Sequence, residues 1–242
     1  MILLRSIVYF AAMVITVALF ALPIVGLGWF FPAAFSDRIA TAWGKTNLWL
    51  QRAICGLRYE LSGRENLPDG PCIIMAKHQS TWETIGLRGI LPPGQSWVLK
   101  QELMNLPVFG WALRFVKAIP IDRSAGRKAV FKVVEDGKAR LAEGRYVIIF
   151  PEGTRTAPGQ RKKYGLGGGV LAERSGAPVI PVAHNAGVFW RRRGVKKYPG
   201  TIQLAIGPAI QSEGRKAAAI TQDVEAWIEG QLKNMPDSYE KT

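Results

Sequence analysis

From Ile7 to Phe35 the chain carries no charged residue. Such a run is long enough to cross a bilayer core, which takes about 20 helical residues. Pro23, Gly26, Gly28 and Pro32 interrupt it, and a proline inside a helix removes a hydrogen bond and bends the chain. The pattern predicts an N-terminal helical membrane anchor that either spans once or bends back within one leaflet. A signal peptide fits less well, because Arg5 is the only early cation and the apolar run is too long. A core helix of a soluble domain is the remaining alternative. Between Ile39 and Leu57, Trp43, Leu48, Trp49 and Ile54 mix with Lys45, Gln51 and Arg52. Tryptophans with basic neighbours suit the lipid headgroup layer. Residues 1–57 are therefore read as an anchoring helical region and 58–242 as a single folded domain.

Beyond Arg58 the pattern changes to short apolar runs separated by helical periodicity. Residues 58–62, 72–76, 96–100, 118–121, 146–150, 178–183 and 201–206 read as strands. Residues 80–90, 107–116, 126–143 and 168–175 read as helices, and 221–233 as a closing helix capped by Thr221. Strands alternating with helices imply an α/β domain with a mixed, largely parallel sheet flanked by helices. The tail after Asn234 is expected to fray. No internal repeat or low-complexity linker divides the 242 residues.

Charge narrows the partners. Lys and Arg outnumber Asp and Glu by 32 to 18, a net charge of +14, which calls for an anionic partner: nucleic acid, a membrane surface or a phosphorylated substrate. Cys55 and Cys72 form neither a metal-ligand spacing nor a disulfide framework, and read as small buried hydrophobes.

One of only two histidines lies in KHQSTWE, residues 77–83. Ser80 and Glu83 match the S-x-x-E capping box, so a helix start accounts for the stretch without any chemistry. On one ideal helix, His78 and Glu83 would lie roughly 140° apart. They meet only if His78 sits in the turn before the helix and Glu83 in its first turn, which is the arrangement the cap predicts. A histidine with one nitrogen on a carboxylate has a fixed tautomer and a free second nitrogen. There is no G-x-S-x-G and no reactive-cysteine context, so the substrate would have to bring its own nucleophile. The turn FPEGTRT, residues 150–156, follows an apolar strand and offers Glu152, Gly153, Thr154 and Arg155. Arginine's planar fork matches phosphate oxygens. Arg123, after AIPID, and Lys100, closing SWVLK, repeat the theme of a cation at a strand end. Each of these segments is equally consistent with an ordinary polar turn.

Taken together, the segments resemble the glycerolipid acyltransferases typified by 1-acylglycerol-3-phosphate acyltransferase. The family's four blocks occur in order: His78 with Glu83, IPIDR ending at Arg123, FPEGTR at 150–155, and VIPV at 179–182. The resemblance implies that His78 is the general base and that Glu83 orients it. It further implies that Arg123, Glu152, Gly153, Thr154 and Arg155, with Lys100, hold the acceptor's phosphate, and that Ile180 and Pro181 line the acyl or acceptor region. The donor would be an acyl thioester, on coenzyme A or acyl carrier protein, with no metal or cofactor. The acceptor would be lysophosphatidic acid, and the setting a bacterial-type inner membrane with the active site on its cytoplasmic side. Two residues depart from the family: Glu83 replaces the usual Asp, and Lys77 replaces the common Asn. A cation at 77 would raise affinity for an anionic substrate or mark a different acceptor. Another lysolipid, including a lyso-ornithine lipid, is the alternative acceptor.

GQRKKYG at 159–165 and WRRRGVKK at 190–197 are cationic loops flanked by aromatics. Such interleaving fits single-stranded nucleic acid, but no nucleic-acid-binding module accompanies it. With an apolar anchor on the same chain, an anionic phospholipid surface is the better partner, each basic residue contributing about 1 kcal/mol. A basic membrane-binding protein without activity is the non-enzymatic alternative. His184, with no acid at matching spacing, is read as structural.

Overall fold

The computed structural model describes residues 1–239, apart from the side chain of Arg123. Helix α1 (Ile2–Leu27) passes through Pro23 without ending, and the chain reverses at residues 28–32 into α2 (Ala33–Leu50). A Cβ on Gly28 would fall 2.6 Å from the Phe115 ring, so only glycine lets the reversal pack this closely. α1 is long and apolar enough to cross a membrane. Ile7, Phe10, Val14, Ile15 and Leu19 on it are exposed. Its opposite side is joined to α2 by buried polar contacts: Gln51 donates to the Tyr9 hydroxyl (2.8 Å), which donates to Asn47, and Asn47 donates to Thr16 (3.1 Å).

After a wide helical turn at Gln51–Cys55 the domain begins with β1 (Leu57–Ser62). There follow β2 (Ile73–Ala76), α3 (Trp82–Ile90), β3 (Gln95–Lys100), α4 (Phe109–Phe115), β4 (Ile119–Ile121), α5 (Arg127–Ala142) and β5 (Tyr146–Ile149). α6 (Gly167–Ser175), β6 (Val179–His184), α7 (Ala186–Phe189), β7 (Gly200–Ile206) and α8 (Ala217–Leu232) complete it. The sheet order is β1-β7-β6-β2-β5-β3-β4. All neighbours are parallel except β6 and β7. Strands β2 to β6 thus end on one edge, where ligands bind in open α/β sheets.

Alternation along each strand feeds two cores. Ile74, Ile148 and Ile180 face Trp82 and the α3 side, whereas Met75, Val147 and Val179 face Leu171, Val224 and the helices α5, α6 and α8. Burial on both faces explains why these strands are almost wholly apolar.

The helical hairpin is built into the domain. α2 crosses α3 at Gly44 and Gly89, where a Cβ on Gly44 would lie 2.4 Å from the Gly89 nitrogen. Asp37 of α2 accepts two bonds of 2.7 Å from Arg145, at the entrance to β5, and both side chains are buried.

One expectation needs correction, and one element was not expected. α8 begins at Ala217, and Thr221 donates to the Ala217 carbonyl from inside the helix, so it is not a cap. α7 is a single short turn of helix that sequence periodicity does not reveal.

Candidate active site

The turn between β2 and α3 folds by local polar bonds. The Ser80 hydroxyl accepts from the Trp82 N–H (3.1 Å), and Glu83 Oε1 reaches back to accept from the N–H groups of Ser80 (2.7 Å) and Gln79 (2.9 Å). The N-cap is Thr81 rather than the expected Ser80, and the Ser80 hydroxyl bonds Trp82 instead of the Glu83 N–H, so it is the Glu83 half of a capping box that holds the carboxylate beside the turn. The same oxygen stands 2.8 Å from His78 Nδ1. A carboxylate partner fixes the proton on Nδ1, leaving Nε2 as the basic nitrogen, with no hydrogen-bond partner among the described residues. The imidazole stacks on Phe150 at 4.1 Å.

His184 lies behind the pair. Its Nδ1 accepts from the Ala186 N–H (3.2 Å), so Nε2 carries the proton and donates to the Lys77 carbonyl (2.8 Å). Burial depresses its pKa below the ordinary histidine value, so it is neutral. Its Nε2 is 4.0 Å from Glu83 Oε2, an oxygen with no hydrogen-bond partner of its own. Burial pushes the Glu83 carboxyl up. The positive end of the adjacent His184 N–H and the bonds from His78 and Ser80 outweigh that and hold it below the ordinary range. The group is an ionised carboxylate.

Glu152, expected at the acceptor phosphate, is turned inward. It is buried, and its oxygens accept from the His78 N–H (2.7 Å), Thr156 Oγ1 (2.7 Å) and Lys77 Nζ (2.8 Å). A carboxylate so engaged is a strut: with Thr156 N–H donating to the His78 carbonyl (2.8 Å), it ties the FPEGTRT turn to the His78 turn. Lys77 also departs from expectation. Only 1% exposed, its ammonium lies between Glu152 and Glu229 of α8, 2.8 Å from each. Ile180 and Pro181 line no cavity at the site. Ile180 is in the sheet core, and Pro181 faces the side of Gly207 and Trp227.

A cavity of about 580 Å³ opens at His78. Val17, Phe20 and Ile24 of α1, Leu113 of α4, and Val98 form much of its apolar wall. Its polar lining includes Thr154, Arg155 and Lys100, together with Arg192 and Arg193. Lys100 is half-exposed and paired with Glu102 at 2.6 Å. Gly153, at φ +67°, makes the turn possible but faces a smaller groove under α5 and α6. Arg123 follows β4 in a short turn initiated by Asp122, which accepts from the Ser124 N–H (2.8 Å); its side chain lies outside the described residues. Among the described residues no group of three or more His, Cys, Asp and Glu side chains could hold a metal ion.

Sequence reasoning missed the wall that α1 contributes to the cavity, and it assigned Arg192 and Arg193 to the membrane surface alone. The signal for the arginines was the charge run itself, but its direction depends on how the loop docks.

A family profile described as "Acyltransferase" matches residues 58–185. A 1-acyl-sn-glycerol-3-phosphate acyltransferase of Pseudomonas aeruginosa is 49% identical over 189 residues, 77% of this chain and 73% of that protein. The human 1-acyl-sn-glycerol-3-phosphate acyltransferase beta is 29% identical over 68% of this chain, which spans 60% of the human protein. In fold, the crystal structure of the 1-acyl-sn-glycerophosphate acyltransferase PlsC from Thermotoga maritima superposes with a TM-score of 0.81 at 20% identity, covering 99% of this chain and 98% of that one.

Proposed function

Because the chain belongs to the acyltransferase family, we propose that it moves a fatty acyl group from a thioester of coenzyme A or acyl carrier protein to the sn-2 hydroxyl of 1-acylglycerol-3-phosphate, giving phosphatidic acid. The observation that carries this reading is the placement of His78: with Nδ1 taken by Glu83, it lines an apolar cavity of about 580 Å³ that also has Arg155 and Lys100 in its lining. An apolar chain, a phosphate and a proton acceptor are what this transfer needs in one place.

His78 Nε2 takes the hydroxyl proton as the acceptor oxygen attacks the thioester carbonyl carbon. The resulting imidazolium is stabilised by the Glu83 carboxylate on Nδ1. Collapse of the tetrahedral intermediate breaks the C–S bond, and His78 returns the proton to the departing thiolate. Neither a metal nor a cofactor enters, because the thioester supplies the driving force. Arg155 and Lys100 hold the acceptor phosphate, with Arg123 a third cation after β4. The exposed apolar side of α1 lies in the membrane from which the lysophosphatidic acid arrives, on the cytoplasmic side where the thioester donors are made.

The test is to offer the purified protein a labelled acyl thioester with a panel of lysolipids. Lysophosphatidic acid should be diacylated fastest, and His78→Ala should abolish transfer while leaving the fold intact. Preference for a lysolipid without a phosphate monoester would refute the acceptor assignment, and near-normal turnover by His78→Ala would refute the mechanism.

A further inference from the structure

His78 has arginines on two sides. In the sheet order β7-β6-β2-β5-β3, it follows β2; Arg155 follows β5 and Lys100 ends β3 on one flank. Arg192 and Arg193 come from the connection between α7 and β7, on the other flank, yet line the same cavity. Neither guanidinium is within ion-pairing distance of a carboxylate among the described residues.

Arg192 and Arg193 are exposed at the cavity rim, but the loop that carries them is held in place at its far end. Lys197 is 2% exposed, its N–H donates to the Ser6 hydroxyl of α1 (2.8 Å), and its ammonium donates to the Val195 carbonyl (3.0 Å). The ammonium sits 4.6 Å from the centre of the buried Trp190 ring and 5.5 Å from that of Tyr9, a desolvated cation–π arrangement. Arg193 adopts φ +58°, a left-handed conformation unfavourable for a residue with a Cβ and usually kept only where the surroundings impose it.

Two anionic substrates must meet at one histidine, and a phosphate already held by Arg155 and Lys100 would repel a second one there. Building on the transfer reaction above, we propose that Arg192 and Arg193 bind the phosphate of the acyl donor's phosphopantetheine arm, the group shared by acyl-coenzyme A and acyl carrier protein. The donor then enters from the β6–β7 side and the acceptor phosphate from the β5–β3 side, with the reacting atoms between them at His78.

The test uses the full chain in nonionic detergent micelles, so that an anionic membrane surface plays no part. In the double variant Arg192→Ala, Arg193→Ala, KM for palmitoyl-coenzyme A or palmitoyl carrier protein should rise at least about tenfold, the size of a lost charge-assisted contact. KM for lysophosphatidic acid, and for palmitoyl-pantetheine lacking the phosphate, should stay within about twofold. The wild-type rates with the two carriers identify which one brings the phosphate. A rise in KM for lysophosphatidic acid instead, or an equal rise with the unphosphorylated thioester, would overturn the assignment. Equilibrium binding of free coenzyme A, about tenfold weaker in the variant, reads the site without any transfer. An inactive wild type that still shows this loss would therefore refute the reaction and leave the site standing, whereas equal binding by wild type and variant would overturn the site.

Discussion

Replacing Glu83 by Gln separates the carboxylate's two jobs. Oε1 accepts from His78 Nδ1 at 2.8 Å and from the N–H groups of Ser80 and Gln79. A glutamine carbonyl occupies the same place and keeps accepting, so the turn survives with bonds weakened from charge-assisted to neutral. That costs about 1–2 kcal/mol, or a few degrees in Tm. Catalysis loses far more. When Nε2 takes the hydroxyl proton, a full positive charge forms on a ring 2.8 Å from Oε1, and with an effective dielectric of about 20 the attraction is roughly 6 kcal/mol. The amide dipole recovers part of this, so about 3–5 kcal/mol of transition-state stabilisation should disappear, lowering kcat by about 10²–10⁴-fold. The assay is steady-state transfer with saturating substrates, paired with circular dichroism and Tm. Glu83→Asp, which keeps the charge on a shorter arm, should lose less than Gln. A Gln variant within tenfold of wild-type kcat would show that Glu83 serves the cap alone.

Arg155→Ala should raise KM for lysophosphatidic acid about 10–100-fold and change donor KM less than about threefold; the reverse pattern would reassign the residue. Lys77→Met keeps the stem but leaves Glu152 and Glu229 facing each other without a cation, which should cost about 3–5 kcal/mol and lower Tm by about 10 °C. An unchanged Tm with a raised substrate KM would instead make Lys77 a ligand. For His184 the pH dependence has a definite sign: burial lowers its folded pKa below 6.5, so below pH 6.5 the unfolded chain gains a proton that the folded one does not. Stability measured by denaturant titration should therefore fall as pH drops from about 6.5 towards 5, by up to about 1.4 kcal/mol per pH unit from this group. Glu83, with its lowered carboxyl, adds a loss only in the more acid range below 4.5. His184→Gln should remove the upper part of the slope, and a slope that persists unchanged would show that His184 is not its source.

What could be read from the chain was local. Seven short runs became seven strands: β2, β5 and β6 were legible because a strand buried on both faces has few sequence alternatives, and the edge strand β1 because its short run is bounded by turn residues. The His78–Glu83 contact was legible because the Glu83 half of one capping box, four residues long, sets it. Arg155 and Thr154 were legible as polar groups just past a strand end, and that is where they reach the cavity. Glu152, in the same turn, was read only as a ligand, with no sign of its inward partners. Its type and position were right for the site, but its oxygens are taken by Lys77, Thr156 and the His78 N–H.

By itself, then, the sequence determined the strands, most of the helices, the long apolar N-terminal helix and the histidine–carboxylate pair, all set by neighbours a few residues apart. The tertiary structure decided the rest: Lys77 against Glu229, 152 positions away; Asp37 against Arg145; His184 behind Glu83; and α1 as a cavity wall. The physical reason is that a charge declares its need for a partner in its own side chain, while the partner is chosen by how sheet and helices bring distant segments together out of water. The two flanking arginine sites belong to this second kind: the run WRRRGVKK states the charge, and the docking of Lys197 on α1 sets where the run lies.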